Sequence, residues 1–361
     1  MRSLRLLGVL IVVALLAVPV MFRGAAPVAA AVALAQVGEC TTDYPTDTVQ
    51  IMAPAAPGGG WDTTAREVQQ VLQSGVIDQS VEVFNVPGAG GTVGLAQLVS
   101  DNAGDEQTMM MMGLVMVGAI ATNQSPVTLD QVTPIARLTT EYEVIVVPAD
   151  SEYQTLDDLM EDFKADPGAV TWGGGSAGGT DHILIGLMAQ AVGVDPTAIN
   201  YVPFSGGGEA LAAILGGQVS AGVSGYGEFQ DQIEAGELRA LAISASQDAA
   251  AGATPGAGTA TPAAGLATPV AALPPVPTLQ EQGVDVELAN WRGLVAPPEI
   301  SDEARQCMIV MIDQMRQTQA WQDVLARYRW QDFFLAGDEF SQYVSAEQDR
   351  VVPILQELGL A

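Results

Sequence analysis

The chain has 361 residues, of which 48% are hydrophobic, and its formal net charge at pH 7 is −29. This length allows two domains that each bury a core, and the hydrophobic fraction excludes a disordered acidic chain. Nucleic-acid binding is also excluded, because it depends on neutralising phosphates and the chain has a single lysine, Lys164. A small anion held by backbone amides remains compatible with this charge.

Residues 1–35 have the features of an export signal. Arg2 and Arg5 precede an apolar run from Leu6 to Phe22, and small residues continue to an A-x-A site at positions 33–35. An uncleaved membrane anchor is the alternative, because the apolar run approaches the length that a bilayer requires. We therefore predict an exported protein, periplasmic or at the cell surface, that is either released or tethered by this segment.

Cys40 and Cys307 are the two cysteines of the chain. In an oxidising compartment an even number of cysteines permits one disulfide, which would tie the start of the mature protein to a C-terminal helix. Two buried free thiols are the alternative, and the sequence leaves this choice open.

From Val49 onward, short apolar strands alternate with helices. The segments VQIMAP and VEVFNV predict strands, and each is followed by a glycine loop and a helix. TMMMMGLVMV, from Thr108, predicts one buried strand, because four consecutive methionines are typical of a core. Such alternation predicts a mostly parallel sheet with helices on both faces.

A long strand from Ala136 is predicted to cross into a second series of strands and helices, from which the chain returns near residue 240. We therefore predict an α/β fold with two lobes joined by a two-strand hinge. Residues 249–273 are rich in Ala, Thr, Gly and Pro, which predicts a surface insert without a role in the site. The predicted domains are lobe 1 (44–135 and 241–361, including that insert) and lobe 2 (136–240).

Four glycine-rich loops share one pattern, in which a strand end precedes the glycines and a helix follows. In parallel α/β sheets such loops gather at the carboxyl ends of the strands, where ligands bind. Glycine lets a ligand approach the backbone, and the first N–H groups of a helix favour an anion. One such loop is most simply a capped turn, but four divided between two lobes favour a shared anion site. These loops span 56–62, 85–92, 173–181 and 204–209.

The third loop also matches two catalytic patterns, G-x-G-x-x-G from Gly173 and G-x-S-x-G from Gly174. A hydrolase with Ser176 as nucleophile needs a base, and His182 is the only histidine. It follows the serine by six residues, whereas a nucleophile-elbow triad takes its histidine from far downstream. The dinucleotide pattern alone is weak, and an exported chain is not expected to meet soluble nicotinamide cofactors. No cluster of His and Cys has metal-ligand spacing, so we predict no cofactor and no metal.

Six segments, in order along the chain, closely resemble the extracytoplasmic solute receptors of tripartite tricarboxylate transporters. The likeness runs from about Tyr44 to the C-terminus, apart from the insert. The segments are APAAPGGGWDTTAR, NVPGAGGTVG, WGGGSAGGTDH, YVPFSGGGEALAAILGGQVSAG, IEAGELRALAIS and PPVPTLQEQGVD.

This resemblance implies a type II periplasmic-binding-protein fold whose lobes close on a carboxylate. It implies that backbone amides of Pro57–Asp62 and Ser176–Asp181 hold that carboxylate, and that the segment 224–228 helps to define the far end of the ligand. It further implies a large and a small integral membrane subunit as partners, driven by an ion gradient and not by ATP.

Two details of the predicted site depend on charge. Arg292 departs from the uncharged residue of many relatives; it favours a second or third carboxylate, and a surface ion pair is the alternative. Asp62 and Asp181 are interpreted as helix caps, because a bare carboxylate repels an anion. The predicted ligand-binding residues are Pro57, Gly58, Gly59, Gly60, Trp61, Asp62, Gly88, Gly90, Ser176, Ala177, Gly178, Gly179, Thr180, Asp181, Ser205, Gly206, Gly207, Tyr226 and Arg292.

Together these features predict a non-enzymatic, monomeric receptor for a small di- or tricarboxylate of the citrate kind. The alternative is an exported serine hydrolase that uses Ser176.

Overall fold

The computed structural model describes residues 38–204, 207–245 and 275–361. The predicted export signal, Ser205, Gly206 and the predicted insert 249–273 lie outside the described residues.

The described residues form strands and helices that alternate along most of the chain. The strands are β1 (Val49–Ala53), β2 (Val81–Asn85), β3 (Thr108–Gly113), β4 (Thr133–Pro148), β5 (Thr171–Gly174), β6 (Asn200–Pro203), β7 (Ala221–Gly225), β8 (Leu238–Ile243), β9 (Ala289–Ala296) and β10 (Gln331–Ala336). The helices are α1 (Gly60–Gln73), α2 (Thr92–Asp101), α3 (Leu114–Thr122), α4 (Leu156–Ala165), α5 (Thr180–Val192), α6 (Gly207–Leu215), α7 (Tyr226–Glu234), α8 (Asp302–Arg316), α9 (Gln319–Tyr328) and α10 (Gly337–Glu357).

The 16-residue strand β4 belongs to two sheets. Its first part, up to Tyr142, pairs antiparallel with β9, and β10 pairs with the same part of β4. Beyond β9 this sheet continues with β3, β1 and β2. From Glu143 onward β4 pairs antiparallel with β7 and β8, and the second sheet continues with β5 and β6. β4 therefore connects the two sheets in one uninterrupted strand.

The α/β class is confirmed, but the prediction of a mostly parallel sheet is wrong. Among the strands of the described residues, parallel pairing is confined to β1 with β2 and β3, and to β5 with β6 and β7. β4 and β9 run against their neighbours. β4 passes from the first sheet to the second and β9 follows the return to the first, so neither belongs to a right-handed crossover of the kind that keeps βαβ strands parallel. The domain boundaries stay a prediction.

One local prediction at a hydrophobic segment is wrong, and one strand was not predicted. The apolar run from Thr108 is a fully buried strand only to Gly113, after which LVMV begins α3. An apolar run does not by itself distinguish a buried strand from a buried helix. The strand β10 was not predicted from the sequence. Trp291, Trp321 and Trp330 are buried.

Cys40 and Cys307 are joined by a disulfide with a Cα–Cα distance of 4.5 Å and a sequence separation of 267 residues. Cys307 lies on α8 with its side chain buried. The bridge therefore ties the segment before β1 to a helix from the C-terminal third of the chain.

Removing this disulfide is expected to lower stability strongly, because it closes a long loop in the unfolded chain. We expect the double variant Cys40→Ala/Cys307→Ala to lose about 2–5 kcal/mol of the free energy of unfolding. Urea denaturation of the oxidised protein and the variant measures this loss. The reduced wild type is the control and should match the variant; equal midpoints of the oxidised protein and the variant would contradict the prediction.

Among the described residues, no helix is long and apolar enough to cross a membrane.

Candidate ligand-binding site

A cavity of about 410 Å³ lies where the glycine loops meet. Residues of all four predicted glycine loops line it, together with β7, the start of α7 and the strand β9, which pairs with β4. The site thus combines backbone-rich loops with a few charged side chains, which is the common composition of a small-molecule site.

The first loop presents the N-terminus of α1. Gly59 is the N-cap residue and supplies no side-chain cap. The N–H groups of residues 60–62 have no acceptor within the helix, because its first bond runs from Thr63 N–H to Gly59 O. Gly59, Gly60 and Trp61 line the cavity. These amides can therefore bind an anion.

Asp62 is buried beside this loop and does not line the cavity. Its carboxylate accepts the Gly58 N–H at 2.8 Å and also bonds Arg66 and Asn85. Burial raises the pKa of Asp62, but the hydrogen bonds from Arg66, Gly58 and Asn85 outweigh it, so the pKa is lowered. Asp62 thus holds the loop in place as an ionised carboxylate.

The second loop closes the cavity wall beside the first. Gly90 has φ +62°, and a Cβ there would overlap Ala119 on α3. At Gly91, with φ +92°, a Cβ would lie 2.8 Å from the ring of Trp61. Glycine is required at both positions by the backbone conformation and by this close packing.

The third loop is held by hydrogen bonds to its own backbone. Asp181 accepts the Gly175 N–H, and the Tyr201 hydroxyl donates to the Gly175 carbonyl at 2.7 Å. Gly179 N–H bonds Ser176 O at 2.9 Å. Gly175, Ser176 and Asp181 line the cavity. This network presents the backbone at positions 175 and 176 to a ligand.

His182 supports the third loop and is not placed to activate Ser176. Its Nδ1 accepts the Gly178 N–H at 3.2 Å, and its ring stacks on Tyr201 with centroids 4.1 Å apart. Burial lowers the pKa of His182 to about 4. The only histidine of the chain is therefore a neutral, structural side chain whose Nδ1 is occupied.

Arg292 lines the cavity but is paired. Its guanidinium contacts the carboxylate of Glu141, and both side chains are almost fully buried. Glu141 also accepts the Trp330 Nε1–H at 3.2 Å and an Asn290 N–H at 3.4 Å. Arg292 thus forms an ion pair, as the alternative predicted, but its partner is a buried acid and not a surface acid. The Arg292 side chain still lines the cavity.

Three further carboxyl groups surround this pair. Glu143 is fully buried next to Asp181; burial, and then the charges of Asp181 and Glu141, raise the pKa of Glu143 well above its usual value. Burial raises the pKa of Asp181 to about 6, although the hydrogen bond from the Gly175 N–H acts in the opposite direction and lowers it. Two adjacent carboxyl groups away from water do not both ionise, so this pair holds one proton near neutral pH. The third, Glu228, lines the cavity.

The predicted ligand residues divide into three groups. Nine line the cavity: Gly59, Gly60, Trp61, Gly88, Gly90, Ser176, Asp181, Gly207 and Arg292. Ser205 and Gly206 lie outside the described residues. The remaining predicted residues do not line it: Pro57, Gly58, Asp62, Ala177, Gly178, Gly179, Thr180 and Tyr226.

Several of the residues that do not line the cavity have other roles. Thr180 is buried, with its hydroxyl 3.5 Å from the Asn290 side chain. Tyr226 is buried in a hydrophobic cluster with Phe229. The same segment reaches the cavity through Ser224, Gly225 and Glu228.

Glu141 and Glu143 were missed from the sequence. The available signal was two glutamates at i and i+2, the only acidic residues of this buried strand, which places both on one face. The cavity is also lined by residues that were predicted only as parts of segments: Ala56, Pro87, Ala89, Gly91 and Gly175 in the glycine loops, and Ser224, Gly225 and Glu228 in the segment 224–228. The lining residues that the sequence analysis missed altogether are Pro54, Ala55, Val115 and Asn290.

The chain is similar to known proteins over most of its length. Residues 64–260, more than half of the chain, match the family model described as the tripartite tricarboxylate transporter family receptor. Protein BugT of Bordetella pertussis is 26% identical over 321 residues, which cover 88% of this chain and 90% of that protein.

Solved structures show the same two-lobe fold. The periplasmic binding protein BugD superposes with a TM-score of 0.73 at 20% identity, covering 88% of this chain and 99% of that one. MatC of Rhodopseudomonas palustris, solved with bound malate, superposes with a TM-score of 0.71 at 23% identity, covering 86% of this chain and 100% of that one. Given the matched family model, the chain belongs to the receptor family of the tripartite tricarboxylate transporters.

Proposed function

We propose that this protein is an exported, non-enzymatic receptor that captures a small di- or tricarboxylate of the citrate kind and delivers it to a tripartite transporter. Its partners are the large and small membrane subunits, and it acts as a monomer in the periplasm or at the cell surface. The observation that carries the proposal is the cavity where the N-terminus of α1 and the loop before α5 face each other with exposed backbone.

One ligand carboxylate is held by backbone amides. The N–H groups at the start of α1 are free of intrahelical bonds, and the dipole of that helix favours an anion at the same point. Ser176 adds a hydroxyl donor from the opposite loop. Backbone amides bind an anion without a lysine side chain, so this mode of binding is compatible with the strongly acidic composition of the chain.

A second carboxylate binds near Arg292. Arg292 is the only cationic side chain among the described residues that line the cavity. A guanidinium can serve two carboxylates at once, here Glu141 and the ligand. The malate bound to MatC is a dicarboxylate, which supports this ligand class.

Binding shifts an equilibrium between open and closed lobes. The proposed lobes are 44–135 with 241–361, and 136–240, and β4 passes between their sheets. Since the site takes residues from both sheets, a ligand makes its full set of contacts in the closed form and stabilises that form.

The hydrolase alternative has less support. Ser176 lines the cavity, but His182 accepts a backbone N–H through Nδ1 and stacks on Tyr201. A general base must be within hydrogen-bonding distance of the hydroxyl it activates and free to take its proton.

A thermal-shift screen of organic acids tests the proposed function. We expect one or more di- or tricarboxylates, citrate included, to raise the melting temperature by at least about 3 °C at saturating concentration. Acetate serves as the monocarboxylate control and should shift it less. If no carboxylate changes the melting temperature, the proposal is wrong; stoichiometric labelling of Ser176 by a fluorophosphonate probe would instead support the hydrolase.

A further inference from the structure

Arg329 ends α9 in a conformation that arginine rarely adopts. Its φ is +54° and its ψ is 29°, in the left-handed region where glycine is the usual residue at a helix end. A residue with a Cβ strains the backbone there. The Arg329 Nε is also buried and has no hydrogen-bond partner among the described residues, so this donor has lost water without a replacement. Two unfavourable features at one residue indicate that its side chain makes a contact that glycine cannot make.

The contact is with α7. The guanidinium carbon of Arg329 lies 5.8 Å from the centre of the buried Tyr226 ring, and Arg329 Nη2 lies 3.9 Å from Glu234 Oε1. The backbones also approach each other, because a Cβ on Gly227 would lie 3.1 Å from the Tyr328 carbonyl oxygen. These five residues form what we call the α7–α9 contact.

The α7–α9 contact joins elements that belong to different sheets. β10 begins two residues after Arg329 and pairs with the first part of β4, in the first sheet. α7 begins where β7 ends, and β7 pairs with the second part of β4, in the second sheet. A movement of one sheet and its helices relative to the other must therefore form or break this contact.

The contact lies next to the ligand cavity but does not line it. Gly225, the residue before α7, is a lining residue, whereas no residue of the α7–α9 contact is. Trp330, the residue after Arg329, donates its Nε1–H to Glu141, which is the partner of the lining residue Arg292. A ligand in the cavity is thus close to the contact without touching it, so the contact acts on binding only through the relative position of the two sheets.

We propose that Arg329 is a positioning residue for ligand binding: the α7–α9 contact forms when the two lobes close and holds them closed around the ligand. The inference rests on the proposed function and deepens it, because it assigns part of the binding affinity to a residue outside the cavity. A contact made only in the closed form stabilises that form and slows release of the ligand. Tyr226, predicted to bind the ligand, instead receives the guanidinium.

Arg329→Gly tests the inference, with the di- or tricarboxylate that gives the largest thermal shift, citrate included, as the probe. Glycine adopts a positive φ without strain, so the ligand-free variant should melt at or above the wild-type temperature. The probe is expected to bind about three- to tenfold more weakly, the effect of one cation–π contact and one exposed ion pair. Calorimetry measures this loss. In stopped-flow experiments it should appear in the dissociation rate, with the association rate within about twofold of wild type.

Glu299→Gly is the matched control. Glu299 is an exposed residue in the turn between β9 and α8, outside the cavity, and it also has a positive φ, +65°. Its change to glycine relieves the same kind of strain and removes a charged side chain, but leaves the α7–α9 contact intact. This variant should bind the probe with the wild-type Kd.

Tyr226→Leu removes the other half of the contact without changing the charge of the protein. We expect it to weaken binding as well, whereas Tyr226→Phe, which keeps the ring, should bind as wild type. The double variant Arg329→Gly/Tyr226→Leu should lose less than the product of the two single effects, because both changes remove the same contact.

The outcomes separate the two proposals. Wild-type affinity in Arg329→Gly, equal weakening by Glu299→Gly, or independent effects in the double variant overturns the positioning role and leaves the receptor function standing. A loss confined to the association rate also overturns it, since that result shows long-range attraction of the anion by the arginine charge. Failure of every carboxylate to bind contradicts the receptor function itself.

Discussion

Gly59→Leu is expected to abolish carboxylate binding, by at least about 100-fold in Kd, while the protein stays folded. Gly59 lines the cavity as the N-cap of α1. A side chain of four carbons at this point covers the amides that begin the helix and takes space from the ligand. The effect is therefore steric and does not depend on the identity of the carboxylate.

The fold tolerates this change for two reasons. Gly59 has φ −74° and ψ 165°, an extended conformation open to any residue. The nearest atoms to an added Cβ are Ala56 O at 3.3 Å and Ala55 Cβ at 3.7 Å. Calorimetry with a ligand from the screen measures the loss of binding, and thermal melting checks the fold.

Gly168→Leu provides a matched control for this prediction. Gly168 lies in a turn outside the cavity, without a positive φ, and an added Cβ has its nearest neighbour at 3.6 Å. This variant should bind as wild type. Binding that survives in Gly59→Leu would show that the first glycine loop is not part of the ligand site.

Arg292→Met is expected to destabilise the protein by about 3–5 kcal/mol, because it leaves the buried carboxylate of Glu141 without its cation. Glu141 is 4% exposed and keeps only the donors from Trp330 and Asn290. These neutral donors do not replace a charge. Urea denaturation of the variant measures the loss.

The double variant Arg292→Met/Glu141→Gln tests the cause. With both charges removed, most of the loss should be recovered, which a double-mutant cycle with Glu141→Gln alone will show. A single-variant loss below about 1 kcal/mol, the range of exposed pairs, would contradict a buried ion pair.

Much of the fold can be predicted from local patterns in the sequence. The apolar strands, the glycine loops and the helices behind them recur with short spacings, so the α/β class and the strand β4 follow from them. The order of the motifs led to the correct family. The amides at the start of α1 were also predictable, because every helix leaves its first N–H groups without internal partners.

Asp181 and Arg292 were among the predicted ligand-binding residues, but the acidic partners of these charged side chains were not predictable in this way. Arg292 and Glu141 meet across 151 residues, on strands that pair only after the chain has passed through the second sheet and returned. Asp181 lines the cavity, although it was interpreted as a helix cap. In the segment 224–228, Glu228 lines the cavity and the predicted residue Tyr226 does not.

The sequence by itself determined most of the elements, the family and the proposed backbone half of the ligand site, because these depend on hydrogen bonds and hydrophobic periodicity within a few residues. The tertiary structure alone decided which carboxyl groups surround the cavity, which of them shares a proton with its neighbour, and that Arg292 is already paired. The ionisation and pairing of these groups depend on the distances between segments that are far apart in the sequence and on the removal of the groups from water. The spacing of residues within a short segment predicts neither.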